Sequence, residues 1–223
     1  MSDFRLYDSL LQFPLFQGLS RTELLQLTGQ TKFGFQKLGA GITVVRADES
    51  CQQLFFLISG HLSTTTVSDD GRYAVEEQLS APWLIQPEAI FGAHPRYSCT
   101  VVTERESHFI TLSKDEVMRL LEDFLIIRLN LLNLLATQSQ RRGRQVWRHA
   151  PDSLRQRIVR FFLDHSAYPA GQKTFHILMT QLAQEVNDSR LDVSRVLNAM
   201  QDEGLLHLHR GRIEIPSLER LLM

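Results

Sequence analysis

The chain has 223 residues, of which 43% are hydrophobic and 22% are charged, and its formal net charge is −1. This composition can fill one large core or two modest ones, and it excludes a wholly disordered chain. The two cysteines, Cys51 and Cys99, are not in a C-x-x-C pair, which argues against a zinc module.

Residues 1–112 are predicted to form an antiparallel β-roll. A short helix comes first, and Ser20 with Glu23 can begin it as a capping box. Short β-rich segments follow, separated by turn residues such as Gly and Asp. These segments read ITVV, QLFFLISG, HLSTTTV, YAVEEQL, SCTVV and HFITL. Frequent short strands with turn signals are typical of an antiparallel roll or barrel.

Residues 113–149 are predicted to be helical. Ser113 and the acids after it suit a helix N-terminus, and the following segment from residue 122 to 147 is apolar almost all the way round. A helix that faces only one core needs fewer apolar positions, so we expect a second packing surface. A dimer seam is one interpretation, and a central helix within a monomer is the other. The predicted dimerisation residues are Ile127, Leu131, Leu134, Leu135 and Gln138.

Residues 150–223 are predicted to form a winged helix-turn-helix. The first helix carries Pro151 in its N-terminal turn, TQLAQEV forms the second, NDS is a turn, and a third helix ends at Gly204. The segment LLHLHRGRIEIP then gives two strands around an Arg-Gly turn. Helices, turn and hairpin in this order predict the winged fold, and the fold class of the chain is therefore α+β.

The third helix of this region is predicted to bury one face and to present the other. At about 100° per residue, one set of apolar side chains shares a face and another set lies roughly opposite. The buried stripe consists of Val193, Val196, Leu197 and Met200. The opposite side carries Leu191, Ser194, Arg195 and Asn198.

The exposed side of this helix has the chemistry needed to read DNA. Arg can pair with guanine O6 and N7, Asn can pair with adenine, and Leu191 can touch a thymine methyl group. Ser189 can cap the helix, which leaves backbone N–H groups for a phosphate. Arg195 is the first candidate for base readout and Arg190 the second, while ordinary solvated charges are the alternative. The predicted DNA-binding residues are Ser189, Arg190, Leu191, Ser194, Arg195 and Asn198, with Arg210 and Arg212 on the wing.

The charge distribution along the chain is that expected for a nucleic-acid-binding domain joined to another domain. From residue 140 onward 13 Lys and Arg stand against 9 Asp and Glu, whereas residues 1–139 hold 11 against 16. An acidic front and a basic back are typical of a sensor joined to a nucleic-acid reader. Two unrelated solvated surfaces would give the same balance.

The stretch from Met179 to Ile215 resembles the C-terminal domain of CRP/FNR-type bacterial transcription regulators. The matching letters are LA at 182–183, SR at 189–190, VSRVL at 193–197 and GLL at 204–206. In the front half, LFQGLS, LFFLISGHL and SDDGR resemble the family's cyclic-nucleotide-binding-type β-roll, and FITLSKDEVMRLL resembles its exit into the dimer helix. The resemblance covers nearly the whole chain. It implies a homodimeric regulator that binds a pseudo-palindromic DNA operator, with RNA polymerase as a further partner if it activates.

Two departures from the family pattern qualify this resemblance. Cyclic-nucleotide-binding members hold the ribose with a Gly-Glu pair and the phosphate with an Arg-Ser or Arg-Thr pair. Here Gln86-Pro87 and Tyr97-Ser98 occupy those places, and one-residue slips bring in Glu88 and Arg96. Pro lacks a backbone donor and Tyr cannot neutralise a phosphodiester, so we expect an effector other than cyclic AMP. The predicted effector-pocket residues are Glu88, Arg96, Tyr97 and Ser98. In the reading helix, Leu191 stands where the family often has Glu, so the family's best-known half-site is not carried over.

Other sensing chemistries follow from the same comparison. Iron–sulfur members use four cysteines near the N-terminus, and this chain has two cysteines elsewhere, so we expect no cluster. Haem would need an axial ligand, for which His61, His94 and His108 are available in the sensor half. A cyclic-nucleotide-dependent or haem-dependent regulator is therefore the alternative, while no cofactor and no metal are predicted.

Other function classes lack supporting motifs. The sequence contains no nucleophile elbow, P-loop, paired-carboxylate motif or zinc signature, so no enzyme and no catalytic residue is predicted. A ligand-regulated scaffold whose helix-turn-helix binds only protein is the remaining alternative. The start MSDFRLYDSLL has no basic region before an apolar stretch, and the longest apolar-rich stretch, 124–136, contains Arg and Asn. We therefore expect a cytoplasmic protein without a membrane partner.

Overall fold

The computed structural model describes residues 3–147, 149 and 151–222, and the side chains of residues 3–5 and 144–146 are outside that description. The chain divides into two compact units. The N-terminal unit comprises Met1–Leu62 and Leu79–Val146, and the C-terminal unit comprises Ser63–Gln78 and Trp147–Met223. The predicted domain boundaries at residues 1, 150 and 223 lie outside the described residues.

The elements are as follows. The helices are α1 (Asp3–Leu10), α2 (Arg21–Gln30), α3 (Lys114–Asp123), α4 (Leu125–Val146), α5 (Leu154–Asp164), α6 (Met179–Glu185) and α7 (Arg190–Asp202). The strands are β1 (Gly34–Leu38), β2 (Thr43–Val45), β3 (Gln53–Ser59), β4 (His61–Val67), β5 (Ala74–Ser80), β6 (Trp83–Ile85), β7 (Thr100–Thr103), β8 (Ser107–Ser113), β9 (Lys173–His176), β10 (His207–His209) and β11 (Arg212–Ile215). Short 3-10 helices cover Pro14–Phe16, Pro87–Ile90 and Leu218–Leu222.

The N-terminal unit is an antiparallel β-roll, as the sequence predicted. One sheet has the order β1-β8-β3-β6, and β2 pairs with β7. Strand β3 is buried on both faces because each face meets aromatic rings. The Phe56 ring lies 5.0 Å from that of Phe13 and 5.4 Å from that of Phe16, while Phe55 lies 6.1 Å from Phe109.

Serine caps begin the helices around this roll. The Ser20 hydroxyl accepts from the Glu23 N–H at 3.3 Å, and the Glu23 carboxylate accepts from the Ser20 N–H at 2.8 Å, which completes the predicted capping box. These hydrogen bonds from Ser20 lower the pKa of Glu23. At α3, Ser113 accepts from the Glu116 N–H at 3.3 Å. Both predicted helix starts are therefore confirmed.

The C-terminal unit contains the predicted winged helix-turn-helix. Helices α5, α6 and α7 pack on a sheet with the strand order β10-β11-β9-β5. Strand β9 was not predicted. The predicted start of α5 was wrong: Ser153, whose hydroxyl accepts from the Gln156 N–H at 3.2 Å, caps a helix that begins at Leu154, so Pro151 precedes the helix.

The hairpin formed by β4 and β5 differs in its placement from the sequence-based division. That division assigned residues 63–78 to the N-terminal sensor region, because they follow β3 directly in the chain. In the structure these residues group with the C-terminal unit, since β5 pairs with β9. The fold class is confirmed as α+β with a β-roll, a long helix and a winged helix-turn-helix.

Candidate functional site

Helix α7 begins at a turn whose geometry the local sequence favours. Asn187 has φ 51°, a left-handed conformation that Asn tolerates better than most residues. Ser189 then caps the helix, because its hydroxyl accepts from the Asp192 N–H at 3.1 Å and donates to the Asp192 carboxylate at 2.6 Å. Gly204, with φ 70°, ends the helix as predicted.

The buried face of α7 fixes the direction of its other side chains. Val193, Leu197 and Met200 are fully buried in the core of the C-terminal unit, and Val196 packs partly against it. Because a helix turns about 100° per residue, the opposite face must point outward. Leu191 is 61% exposed accordingly, and 70% of the Arg195 side chain is exposed.

The exposed residues of α7 differ in how firmly they are held. The Arg195 guanidinium lies 3.2 Å from the Asp192 carboxylate, an exposed ion pair one turn back along the helix. The Asn198 amide donates to the Ser194 carbonyl at 2.7 Å, and Ser194 itself is half-buried. Within the described part of the chain, the Arg190 side chain makes no hydrogen bond or ion pair. Arg190 and Arg195 are therefore both available to an outside partner at little cost.

The wing presents one paired and one unpaired arginine. Strands β10 and β11 are joined by a turn in which Gly211 has φ 71°, a conformation that favours glycine. Arg212 pairs with Glu214 at 2.9 Å. Arg210 is exposed at the turn, and it has no ion pair or hydrogen bond among the described residues.

A cavity of about 320 Å³ joins the wing to the start of α7. Arg190 from α7 and Arg210 from the wing both line it, so the structure brings together two predicted DNA-binding residues that are 20 positions apart. Leu178 and Met179, at the start of α6, also line the cavity. Leu178 is 54% exposed and was missed by the sequence analysis, because a leucine next to an amphipathic helix gives no signal of exposure.

Glu88, a predicted effector residue, lines a second cavity in the N-terminal unit. This cavity has a volume of about 530 Å³ and lies between the 3-10 helix Pro87–Ile90 and α4. Arg142 approaches the Glu88 carboxylate to 3.7 Å. Glu88 Oε2 and Gln138 Oε1 are buried acceptors without a hydrogen-bond donor among the described residues. The lining residues are Glu88, Leu135, Gln138, Ser139, Arg142 and Gly143.

The other three predicted effector residues do not join Glu88. The Tyr97 side chain is buried and donates to the Gln53 carbonyl at 2.9 Å; burial, the larger cause, and its hydrogen bond with Cys51 raise the pKa of Tyr97. Arg96 donates to the carbonyl of Asp48. Both side chains therefore donate hydrogen bonds to backbone carbonyls of neighbouring loops and strands.

Ser98 is engaged by Gln86. The Gln86 side chain accepts from the Ser98 N–H at 2.9 Å and donates to the Ser98 hydroxyl at 2.8 Å. Gln86 has φ 35°, so its own backbone is left-handed at the start of the 3-10 helix. One amide side chain thus bridges residue 86 to residue 98, in the two segments that the resemblance predicts to correspond to the family's ligand-binding pairs.

The predicted dimerisation residues on α4 differ in their exposure. Ile127 and Leu131 are buried inside the protomer and are not exposed to a partner, because this face of α4 lies on the N-terminal segment, where Asn130 donates to the Gln17 carbonyl at 2.8 Å. Leu134, Leu135 and Gln138 are half-buried.

Another face of α4 exposes large apolar side chains. Leu125 is 62% exposed, Leu129 48% and Leu132 56%. With the exposed Ala136 they form a stripe, which we call the α4 stripe, at steps of four, three and four residues. These steps are the heptad spacing of a coiled coil. The sequence analysis missed this face because the helix is apolar on nearly every side.

Within residues 3–147, 149 and 151–222, no cluster of three or more His, Cys, Asp or Glu side chains could hold a metal ion. Among the same residues, no helix combines the length and the apolar character that crossing a bilayer requires. Both cysteines are buried, and burial is the main cause that raises the pKa of Cys51.

Comparison with protein families matches both units. A family model described as cyclic nucleotide-binding domain matches residues 35–124. A second, described as Crp-like helix-turn-helix domain, matches residues 156–223. The two matches together span nearly all of the roll, α3, most of α5 and all of α6, α7 and the wing, and α4 lies between them.

Curated relatives and solved structures agree with these matches. The cAMP-activated global transcriptional regulator CRP of Haemophilus influenzae is 23% identical over 184 residues, which cover 80% of this chain and 82% of that protein. The cAMP-activated global transcriptional regulator Vfr of Pseudomonas aeruginosa is 25% identical over 175 residues, or 74% and 81% of the two chains. The crystal structure of the Thermus thermophilus catabolite activator protein shares the fold, with a TM-score of 0.54, 22% identity, and coverage of 94% of this chain and 96% of that chain.

Proposed function

Because the chain belongs to the CRP/FNR-type family of bacterial transcription regulators, we propose that it is a homodimer that binds a pseudo-palindromic DNA site. The observation that carries this proposal is the orientation of α7. Its apolar face is locked in the core, and Arg190, Leu191 and Arg195 point outward behind a capped N-terminus. A helix of this kind can enter the major groove by its N-terminal end.

Each exposed group has a chemical role in this proposal. Arg195 donates hydrogen bonds to O6 and N7 of a guanine. To do so, its guanidinium must first leave the Asp192 carboxylate. Arg190 is the second base contact, and Leu191 meets a thymine methyl group. Asn198 reads an adenine once its amide leaves the Ser194 carbonyl.

The remaining predicted residues contact the backbone of the DNA. Ser189 and Ser194 lie along the first turns of α7, where hydroxyl and N–H groups suit a phosphate. Arg210 is free to reach a phosphate from the wing, and Arg212 can do so by leaving Glu214. Such contacts position the protein without specifying sequence.

The α4 stripe supports the homodimer. A run of exposed leucines in heptad spacing is costly to leave in water, and a second copy of the same helix provides a matching apolar surface. Two α7 helices related by a two-fold axis would then meet half-sites about one helical turn, ~34 Å, apart.

The DNA-binding proposal is tested by selection from randomised duplexes with the full chain. We expect enrichment of a pseudo-palindrome, and anisotropy titrations should show binding that weakens steeply as salt rises, since phosphate contacts release counterions. A duplex in which both half-sites are scrambled is the matched control. Equal affinity for the selected and scrambled duplexes would contradict sequence-specific recognition.

We also propose that the effector is not cyclic AMP. The two relatives named above are cAMP-activated, but here Gln86 bridges to Ser98, Tyr97 is buried, and Arg96 is bonded to Asp48. Arg96 is the only cation of this set, and one nitrogen of its guanidinium is held by the Asp48 carbonyl. The cavity beside Glu88 is the better candidate, because its two buried acceptor oxygens call for hydrogen-bond donors on the ligand.

Calorimetry with the full chain tests this second proposal. We expect no heat of binding from cyclic AMP at micromolar concentrations, and measurable micromolar binding would contradict the proposal. An absorption spectrum of the same preparation tests the haem alternative, because bound haem absorbs strongly at the edge of the visible range.

A further inference from the structure

The β4–β5 hairpin, residues 63–78, is part of the C-terminal unit, although 75 residues lie between its end at Gln78 and the start of α5 at Leu154. Its strands continue in the chain to His61 at one end and Ser80 at the other, where the N-terminal unit resumes. The hairpin therefore belongs to the β-roll sequence, while its strand β5 pairs within the DNA-binding unit.

The hairpin is joined to that unit by a strand ladder. Strand β5 pairs antiparallel with β9 over four residues, from Ala74 opposite His176 to Glu77 opposite Lys173. Val75, opposite Phe175, is 3% exposed and belongs to the core cluster that also contains the buried residues of α7. A strand added to an open sheet edge in this way gains main-chain hydrogen bonds and a buried side chain together.

A buried ion pair closes one end of this ladder. Lys173 Nζ lies 3.1 Å from Glu77 Oε1, and the two side chains are 1% and 3% exposed. The Glu77 carboxylate also accepts from the N–H groups of Ala167 at 3.0 Å and Tyr168 at 3.2 Å. Lys173 donates to the Ala170 carbonyl at 2.8 Å. Both charges are thus fully satisfied, but only while the hairpin is docked.

Weaker contacts flank the ion pair. The Tyr73 ring lies 5.6 Å from that of Phe161 and 5.4 Å from that of His165, both on or next to α5. Glu76, on the outer face of β5, pairs with His176 at 3.3 Å. Undocking the hairpin would break all of these contacts together, whereas removing one partner of the ion pair in the docked state would leave the other as an uncompensated buried charge.

The docked hairpin does not cover the reading surface. The contacts of residues 73–77 go to α5, β9 and the loop between them, whereas Arg190, Leu191 and Arg195 remain exposed. Docking is therefore compatible with DNA binding.

We propose that the β4–β5 hairpin is a strap that couples the sensor region to the DNA-binding unit, and that the Glu77–Lys173 pair is its lock. The coupling rests on the DNA-binding function proposed above. With the strap docked, the DNA-binding unit is tied to the roll at a second point besides the chain after α4. Two tethers leave it fewer orientations, so less conformational entropy is lost when both copies in a dimer bind one operator.

Hydrogen exchange of the full chain without DNA measures docking directly. In Glu77→Gln and Lys173→Met, the amides of β5 and those of Ala167 and Tyr168 should exchange faster by roughly a hundredfold, as expected when one partner of a buried pair is removed. Glu76→Gln is the matched control, because it removes a surface ion pair on the neighbouring residue, keeps an amide oxygen to accept from the Ser63 hydroxyl, and should change exchange little. The combined variant Glu77→Gln with Lys173→Met should recover much of the protection, because no charge is left unpaired.

DNA affinity measures the coupling. On the selected duplex, each single variant should raise the Kd by about tenfold, and the combined variant should lie closer to the wild type. If the β5 amides stay protected in the single variants, the ion pair does not hold the hairpin in place. If their protection is lost while the Kd for DNA is unchanged, docking of the hairpin does not affect DNA binding. Absence of DNA binding by the wild type would refute the proposed function, while the exchange data would still decide whether the strap docks.

Fast exchange in α7 would show that the single variants unfold the whole C-terminal unit. A disulfide crosslink then tests the proposal without removing the ion pair. Ala74 and His176 are opposite each other, so Ala74→Cys with His176→Cys should form a disulfide that keeps the hairpin docked. The oxidised protein should bind the selected duplex at least as tightly as the wild type. A loss of binding that is reversed by reduction would overturn the proposal, because it would mean that the docked state cannot bind DNA.

Discussion

Helices α4 and α7 are built alike but expose opposite chemistry. Each buries an apolar face in its own unit, through Ile127 and Leu131 in α4 and through Val193 and Leu197 in α7. The free face of α4 is the apolar α4 stripe, whereas that of α7 carries arginines and polar groups. The buried face of a helix fixes its orientation, and the exposed face then indicates the class of partner, which we propose to be a second copy of the helix for α4 and a nucleic acid for α7.

The largest expected effect comes from changing the free face of α4. Leu129→Lys combined with Leu132→Lys places like charges in the seam, so we expect monomers by sedimentation velocity. Affinity for the selected duplex should fall roughly a thousandfold or more, towards the non-specific level. Thr137→Lys, an exposed position off the stripe, is the control and should stay dimeric. A variant that remains dimeric would place the interface elsewhere.

The next effect separates the two faces of α7. Leu197→Ala removes a fully buried side chain and should lower the free energy of unfolding by about 2–5 kcal/mol. Leu191→Ala, on the exposed face, should change it by less than about 0.5 kcal/mol while altering base preference. Denaturant titrations of both variants make the comparison. Equal losses would show that Leu191 is also part of the core.

A smaller effect is expected from the candidate reading arginine. Arg195→Ala should cost about 1–3 kcal/mol of binding free energy on the selected duplex and should relax the preference at one base position. Anisotropy titrations against single-base variants of the site measure both. Arg220→Ala, an exposed arginine outside α7 and the wing, is the control. The same loss on every sequence would make Arg195 a phosphate contact.

The smallest effect concerns the far end of α7. Arg155 on α5 donates two hydrogen bonds of 2.6 Å to Glu203, and these bonds lower the pKa of the Glu203 carboxyl. A carboxyl with a lowered pKa in the folded state stabilises the fold above its ordinary pKa, and this contribution is lost as the pH falls through the lowered value. Glu203→Gln should therefore be slightly less stable than the wild type at neutral pH and equally stable in strong acid. Urea titrations across this pH range test it, and a pH-independent difference would contradict the assignment.

Periodic features were predictable from the sequence. The buried stripe of α7, the serine caps of α2 and α3, and Gly204 at the end of α7 depend on residues within one or two helical turns of one another. Local rules determine such features, so a single sequence is enough to predict them. The outward orientation of Arg195 follows from the same local rules.

Features that depend on distant pairing were not predictable. Strand β9 has four residues, and its partner β5 lies about a hundred positions earlier in the chain, so nothing near KTFH predicts a ladder. The predicted effector residues lie in loops and at a short 3-10 helix, where no period relates one side chain to the next. On α4, the continuous run of leucines concealed which of several apolar faces the roll would cover.

The buried lysine of β9 has a consequence for how this architecture can be divided and reused. A polypeptide that starts after α4 would retain every helix of the winged fold, yet it would lack Val75 and the carboxylate of Glu77. The core cluster would then be open where Val75 had covered it, and Lys173 would lose its counter-charge, so the excised piece should be less stable than the complete unit. We therefore expect that the winged helix-turn-helix cannot be transferred to another protein by itself. A hybrid regulator would have to include the β4–β5 hairpin together with it.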